Sequence, residues 1–373
     1  MRKIGVTGCI AGLVVAPLML AFGSGSALAQ TPPFLHGLTK VSTVGSTVPA
    51  HGDVNPYGVA VVGTSTGALV AGDVLVSNFN AQSNVQGTGT TIVQVAPNGT
   101  QTLFAHITDL PAGMSCPGGI GLTTALDILP GGYVVVGSLP SKAGGLPKGD
   151  PAGCLIVLNH SGAVAETISN ANIVGPWDMT AQSTSSSATL FVSNALGGNT
   201  RTTSKGVPVA GECTVVRLDL TLSPSAAPTL TSTTVVGVDF PWKANAAAFV
   251  LAPTGLALSN GTLYVDNSLS STISAIPEAA TRTTPDSGRL TVIVRDRSLN
   301  APLGMVAAPD GDLLVVNGND GVISEVSPTG KIVDRDTLIK NGAGDLFGLA
   351  VAPANQGLYF VNDGANTLDI LQH

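Results

Sequence analysis

Pro253-Thr254-Gly255-Leu256-Ala257-Leu258-Ser259-Asn260-Gly261-Thr262-Leu263-Tyr264-Val265-Asp266-Asn267 reads as two short strands joined by an Asn-Gly hairpin. The pair opens on a Pro-x-Gly turn and ends in an amide. The same plan recurs along the chain. Openings fall at Pro56-Tyr57-Gly58, Pro117-Gly118-Gly119, Pro176-Trp177-Asp178, Pro253-Thr254-Gly255, Pro302-Leu303-Gly304 and the variant Leu346-Phe347-Gly348. The second strands follow at Val74 to Val76, Tyr133 to Val136, Leu190 to Val192, Leu263 to Val265, Leu313 to Val316 and Leu358 to Phe360. A unit this short cannot bury both of its faces alone, so the recurrence predicts a propeller or solenoid.

Starting at positions 56, 117, 176, 253, 302 and 346, the units are 61, 59, 77, 49 and 44 residues apart. Four short strands with turns need about 40 to 50 residues, the length of one propeller blade. The longer units carry polar insertions at 137–153 and 195–212. Third strands are visible in each unit, and fourth strands in the first five, but the chain ends after the third strand of the last. The unassigned segment Leu38 to Val44 has the length to supply the missing outer strand. The expectation is an all-β, six-bladed β-propeller closed by an N-terminal strand that completes the last blade.

Met1 to Ala29 reads as a secretory signal peptide. Arg2 and Lys3 lead an apolar run, and Ala27-Leu28-Ala29 is a small-x-small cleavage site. Residues 30–373 then form a single domain, secreted or periplasmic, with no membrane span after cleavage. Without Arg2 and Lys3, the 16 Lys and Arg fall to 14 against 23 Asp and Glu, a formal charge of −9. A surface so poor in cations offers nothing to nucleic acid or anionic lipid. Charged residues are only 10% of the chain while it holds 46 Gly and 24 Pro, a mix that suits short strands and tight turns. Of the three cysteines beyond the leader, Cys116 and Cys154 are the favoured disulfide, with Cys154 and Cys213 the alternative.

In a blade, the start of the innermost strand and the end of the second strand share one face near the axis. That places Asn78, Ser138, Asn194, Asn267, Asn317 and Asn362 in a ring at the channel mouth, with Asp266 and Asp363 beside it and Trp177 and Asp178 at one opening. Asn at a strand end also satisfies its own turn backbone, so the ring has a purely structural reading beside the ligand-binding one. His51 is the one histidine placed near this face, and the five histidines show no metal-ligand spacing.

The units resemble the NHL-repeat and SMP-30/gluconolactonase-like six-bladed propellers. The resemblance is carried by Pro253 to Ala257 with Gly261 to Asn267, and by Leu346 to Ala350 with Gly357 to Asn362. It implies the fold, and a family containing lactonases, lyases and binding scaffolds. In its lactonases a divalent cation sits at the channel mouth on carboxylate and Asn oxygens, which points to Asp266 and Asn267 and to Ca or a similar ion. No Glu stands near the mature N-terminus, where such enzymes supply one. Two readings follow. The first is an exported binding or scaffold module whose Asn-lined face holds a small polar ligand or a protein partner, with the chain a monomer. The alternative is a metal-dependent SMP-30-like lactonase or hydrolase.

Overall fold

The computed structural model describes residues 32–139, 153–197, 213–224 and 226–373, together with residues 1 and 5. The chain divides into Met1–Pro32 and a compact unit, Pro33–His373, which holds every strand. Apart from residues 1 and 5, the expected leader lies outside the described residues, as do most of the 137–153 and 195–212 insertions.

Six antiparallel sheets carry the chain in order. Blade 1 is Val54–Val61, Val74–Asn80, Thr91–Val95 and Gln101–His106. Blade 2 is Leu122–Leu129, Tyr133–Ser138, Cys154–Leu158 and Val164–Ile168. Blade 3 is Pro176–Ser183, Ser187–Asn194, Cys213–Ser223 and Ala226–Phe240. Blade 4 is Pro253–Ser259, Thr262–Asn267, Thr272–Ile276 and Val292–Val294, and blade 5 is Pro302–Ala307, Leu313–Asn317, Val322–Val326 and Ile332–Thr337. Blade 6 is Leu346–Val351, Gly357–Asn362 and Thr367–Gln372, and its outer strand is Lys40–Ser46, paired antiparallel with Thr367–Gln372. Each inner strand packs on the next, and that of blade 6 returns to that of blade 1.

Middle strands such as Tyr133–Ser138 are apolar on both sides because a neighbouring blade covers each face. Leu75 and Ile92 of blade 1 meet Val134 and Ile156 of blade 2, while Val135 and Val157 turn the other way onto Leu190 and Leu218 of blade 3.

The glycine of the opening motif has a geometric cause. A Cβ on Gly58 would lie 2.8 Å from the Thr124 carbonyl oxygen of blade 2, and one on Gly255 2.7 Å from the Met305 nitrogen of blade 5. At Gly304 it would meet the Phe347 carbonyl oxygen at 2.0 Å, and at Gly348 the Tyr57 carbonyl oxygen at 2.1 Å. Inner strands converge on the axis, and these positions are where neighbouring backbones pass within the radius of a methyl group.

Three details differ from the sequence expectation. In blade 2 the residue paired with Ser138 is Leu122, so the structural opening is Leu122-Thr123-Thr124, and Pro117-Gly118-Gly119 belongs to the preceding loop. The outer strand of blade 6 begins at Lys40 rather than Leu38, because residues 33–38 form turns and Glu325 of blade 5 accepts the Phe34 and Leu35 N–H groups. Two small elements were not foreseen. Asp286–Ser287 adds a parallel fifth strand beside Gly237 and Val238 of blade 3, and a hairpin, Lys243–Asn245 with Phe249–Leu251, stands between blades 3 and 4.

Candidate functional site

The six strand-end residues occupy equivalent places. Asn78, Ser138, Asn194, Asn267, Asn317 and Asn362 each pair with the first residue of their blade's opening, from Pro56 and Leu122 round to Leu346. Most of their polar atoms turn to backbone, while the Asn78 Oδ1 is buried without a partner. Asn194 accepts the Val174 and Gly175 N–H groups at 3.1 Å each and donates to the Asn172 carbonyl at 2.9 Å. Asn267 accepts from the Leu269 and Ser270 N–H groups and the Ser270 hydroxyl, and donates to the Pro241 carbonyl. Asn317 holds the Asn300 N–H and the Ser298 carbonyl. Asn362 accepts the Ala365 N–H and donates to Asp369, Asn78 donates to the Thr47 carbonyl and Thr91, and the Ser138 hydroxyl bridges Gly119 and Gly121. Each fastens the loop that enters or leaves its blade.

The mouth beneath this ring is filled by aromatic rings. Tyr57 stacks on Phe79 at 4.6 Å and lies tilted against Phe347 at 4.2 Å, and Trp177 meets Tyr57 edge-on at 5.6 Å. Phe249, from the small hairpin, lies 5.9 Å from Phe79 and 6.3 Å from Trp177. Trp177 is therefore a packing residue of the plug, with only 1% of its surface exposed. His51 is not at the axis; its ring packs against His106, at the end of the outermost strand of blade 1.

Below the plug a cavity of about 640 Å³ follows the axis towards the hairpins that join first and second strands, reaching Thr64, Pro130 and Ser183. Its wall carries two carboxyl groups, Asp127 and Asp178. Asp178 Oδ2 accepts the Leu256 N–H across the blade 3–blade 4 boundary at 2.9 Å. Burial pushes its proton affinity well above the usual carboxylate range, against the opposing Leu256 and Met179 N–H groups, and the fields of Asp266 and Asp127 add to the rise. Asp127 keeps surface open to the cavity, yet burial still lifts its pKa to about 6, opposed by the N–H groups of Ile128 and Ala181. Asp266 is lifted to about 7 by burial, opposed by Thr254 and Gly255. Asp363, near Tyr57, is lifted to about 7 by burial and then by Asp345.

Sequence reasoning named Asp178, Asp266 and Asp363 and missed Asp127. The signal was present: Asp127 is the only charged residue in Leu122-Thr123-Thr124-Ala125-Leu126-Asp127-Ile128-Leu129.

Asp266 and Asn267 do not fit a divalent cation. Asp266 Oδ1 accepts the Thr254 hydroxyl and the Gly255 N–H at 2.5 and 2.8 Å. Its Oδ2 has no partner but is pressed where a Gly255 Cβ would be, 2.6 Å away, beside the Gly304–Met305 backbone. Asn267 Oδ1 already has three donors, and a hard cation asks for six to eight free oxygens at about 2.4 Å. Among the described residues, a group with the spacing to hold a metal lies elsewhere. Asp310, Asp312 and Glu325 of blade 5 bring ligand oxygens within 4.8 Å of one another, on the hairpin face.

Cys116 and Cys154 are joined by a disulfide, and Cys213 is free and buried. Among the described residues, no helix is long and apolar enough to cross a membrane.

No family model matches the sequence, and no curated protein matches it either. Solved structures do. A gluconolactonase from Xanthomonas campestris superposes with a TM-score of 0.54 at 14% identity, covering 89% of each chain. A putative gluconolactonase gives 0.50 at 13% identity, over 89% of this chain and 91% of that one. Regucalcin from Agrobacterium tumefaciens, described as a calcium-binding protein, gives 0.51 at 11% identity, over 88% and 93%. The fold is that of the SMP-30/gluconolactonase-like propellers. At these identities the likeness concerns the path of the chain and not its chemistry.

Proposed function

We propose that this SMP-30-like propeller is a hydrolase for a small uncharged ester or lactone, working in the axial cavity with Asp127 and Asp178. The observation that carries the reading is the pair of carboxyl groups in one cavity wall, both raised above the ordinary carboxylate range by burial. At neutral pH Asp127, at about 6, is mostly ionised, while burial and then the fields of Asp266 and Asp127 favour the protonated form of Asp178. Asp127 then takes a proton from water as the oxygen attacks the carbonyl carbon, and returns it to the leaving alkoxide oxygen as the tetrahedral intermediate collapses and the acyl C–O bond breaks. Asp178, with Oδ2 bound to the Leu256 N–H, has its other oxygen to carry a proton towards the carbonyl oxygen. The lactonases among its fold neighbours supply the substrate class. The Cys116–Cys154 disulfide supports an oxidising, exported setting.

The test is a panel of small lactones and esters with the mature protein between pH 5 and 9. Turnover is expected to rise with pH through about 6, as Asp127 ionises. Asp127→Asn is expected to lower kcat on the order of a hundredfold with the fold intact. Chelators are expected to leave the rate unchanged. Failure to turn over any member of the panel sinks the reading.

One observation favours the second reading, a binding module for a small polar ligand or protein partner at the Asn-lined face. Asp127 and Asp178 each accept a backbone N–H from the next inner strand, which staples blades together without any chemistry. Saturable binding with no turnover would select it.

A further inference from the structure

The hairpin Lys243–Asn245 with Phe249–Leu251 has only three residue pairs, and it leaves the frame between blades 3 and 4. Its tip reaches the opposite side of the ring. The Gln86 side-chain amide, on the loop after the second strand of blade 1, donates to the Ala247 carbonyl at 2.6 Å. The tip is a rigid piece, because Asn245 Oδ1 accepts the Ala247 and Ala248 N–H groups at 2.8 Å each. At the other end the chain is anchored, since Ser268 exchanges hydrogen bonds with Ala252. Phe249 points from this bridge into the aromatic plug.

The closed arrangement is held against two local penalties. Phe249 has φ +61°, a left-handed conformation that a bulky side chain rarely adopts. Trp242, at the base of the hairpin, is 7% exposed and its indole N–H has no acceptor. Among the described residues, three strand pairs, the Gln86 link, the Asn245 and Ser268 hydrogen bonds and the burial of Trp242, Phe249 and Val250 against Phe79 and Trp177 oppose these penalties. Phe249 sits near-parallel to Trp177 (interplanar 23°) and edge-on to Phe79 (85°), so the space it fills is a slot sized for one planar ring.

We infer that the hairpin is a lid, and that Phe249 occupies a binding slot for a planar, uncharged aromatic ring walled by Phe79 and Trp177. A ligand ring takes the place of Phe249, the lid swings out on its base, and the left-handed residue is released. This slot is on the Asn-ring side of the plug, apart from the Asp127–Asp178 cavity, and does not depend on the hydrolytic reading.

The probe is N-phenyl-1-naphthylamine, titrated into the mature protein with Trp242→Phe so that Trp177 is the one tryptophan reporting. Saturable quenching of Trp177 emission is expected, with binding about tenfold tighter in Phe249→Ala, where no ring competes for the slot. Trypsin gives a second readout without altering Phe249. Bound probe is expected to speed cleavage after Lys243 severalfold, as the exposed hairpin leaves its seat. Equal affinity in the two proteins, binding to Phe249→Ala but not to its parent, or an unchanged cleavage rate after Lys243 would each overturn the lid.

Discussion

Asp266 shows how much one carboxyl group can do when it is buried between blades. It receives the Thr254 hydroxyl and the Gly255 N–H, and Thr254 in turn donates to the Pro302 carbonyl, so one side chain ties the inner strands of blades 4 and 5. Ser77 and Ser193, at the equivalent position of blades 1 and 3, use hydroxyls for the same task, donating to the Thr123 and Thr254 carbonyls of the next blade. The carboxyl differs because it titrates. Asp266, Asp363 and Asp127 have folded pKa values of about 7, 7 and 6, raised from an ordinary 3.8. Between pH 4 and 7 the folded state therefore holds more protons than the unfolded one, and stability falls as pH rises through that window. Thermal melts are expected to show Tm higher by roughly 5 °C at pH 5 than at pH 8. Asp266→Asn, neutral at every pH, should flatten that slope; an unchanged slope would mean that Asp266 is not the group responsible. Asp266 and Asp363 were legible as polar residues near the axis, and Asp127 was missed. Their proton affinities were not legible, because they come from the neighbouring blades.

At the scale of elements, the inner strands are set by close approach and the outer loops by covalent ties. Gly304→Ala puts a methyl group against the Phe347 carbonyl oxygen, and backbone cannot yield as a side-chain tip can. A loss of about 1–3 kcal/mol is expected, read as a lower denaturation midpoint at constant m-value. A change no larger than that of an exposed substitution would show that the ring opens freely. The Cys116–Cys154 bridge spans 38 residues and joins the loop before blade 2 to its third strand. Cys116→Ala with Cys154→Ala is expected to lower stability by about 2–4 kcal/mol in melts of the oxidised protein. The strand pairs were readable from alternation and turns. The Pro117-Gly118-Gly119 opening misled because a Pro-Gly loop and a blade entrance share a composition, and only pairing with Ser138 separates them. The Lys243–Leu251 hairpin gave no periodic signal: three residues per strand are too few, and its packing is supplied by Phe79 and Trp177 from distant blades.

For the molecule as a whole, the number of blades followed from six repeats and the need of each to bury both faces. The outer strand of blade 6 was foreseen from a third-strand ending at the C-terminus and a spare segment near the N-terminus, and Lys40–Ser46 lies beside Thr367–Gln372. The chemistry of the axis was not foreseen. The repeat placed Asn at the strand ends, but whether an amide faces a ligand or a loop depends on which backbone groups lie unpaired nearby, and here Val174, Gly175, Leu269 and Ser270 claim them. Likewise Tyr57, Phe79, Trp177, Phe249 and Phe347 lie far apart in sequence and become a plug only when ring geometry brings their strands together. The sequence by itself determined the repeat, the blade count and the positions that face the axis, because those rest on local strand and turn chemistry. The tertiary structure decided which face is plugged, which cavity is open and which carboxyl groups hold their protons, because desolvation and contact between blades exist only once the ring has formed.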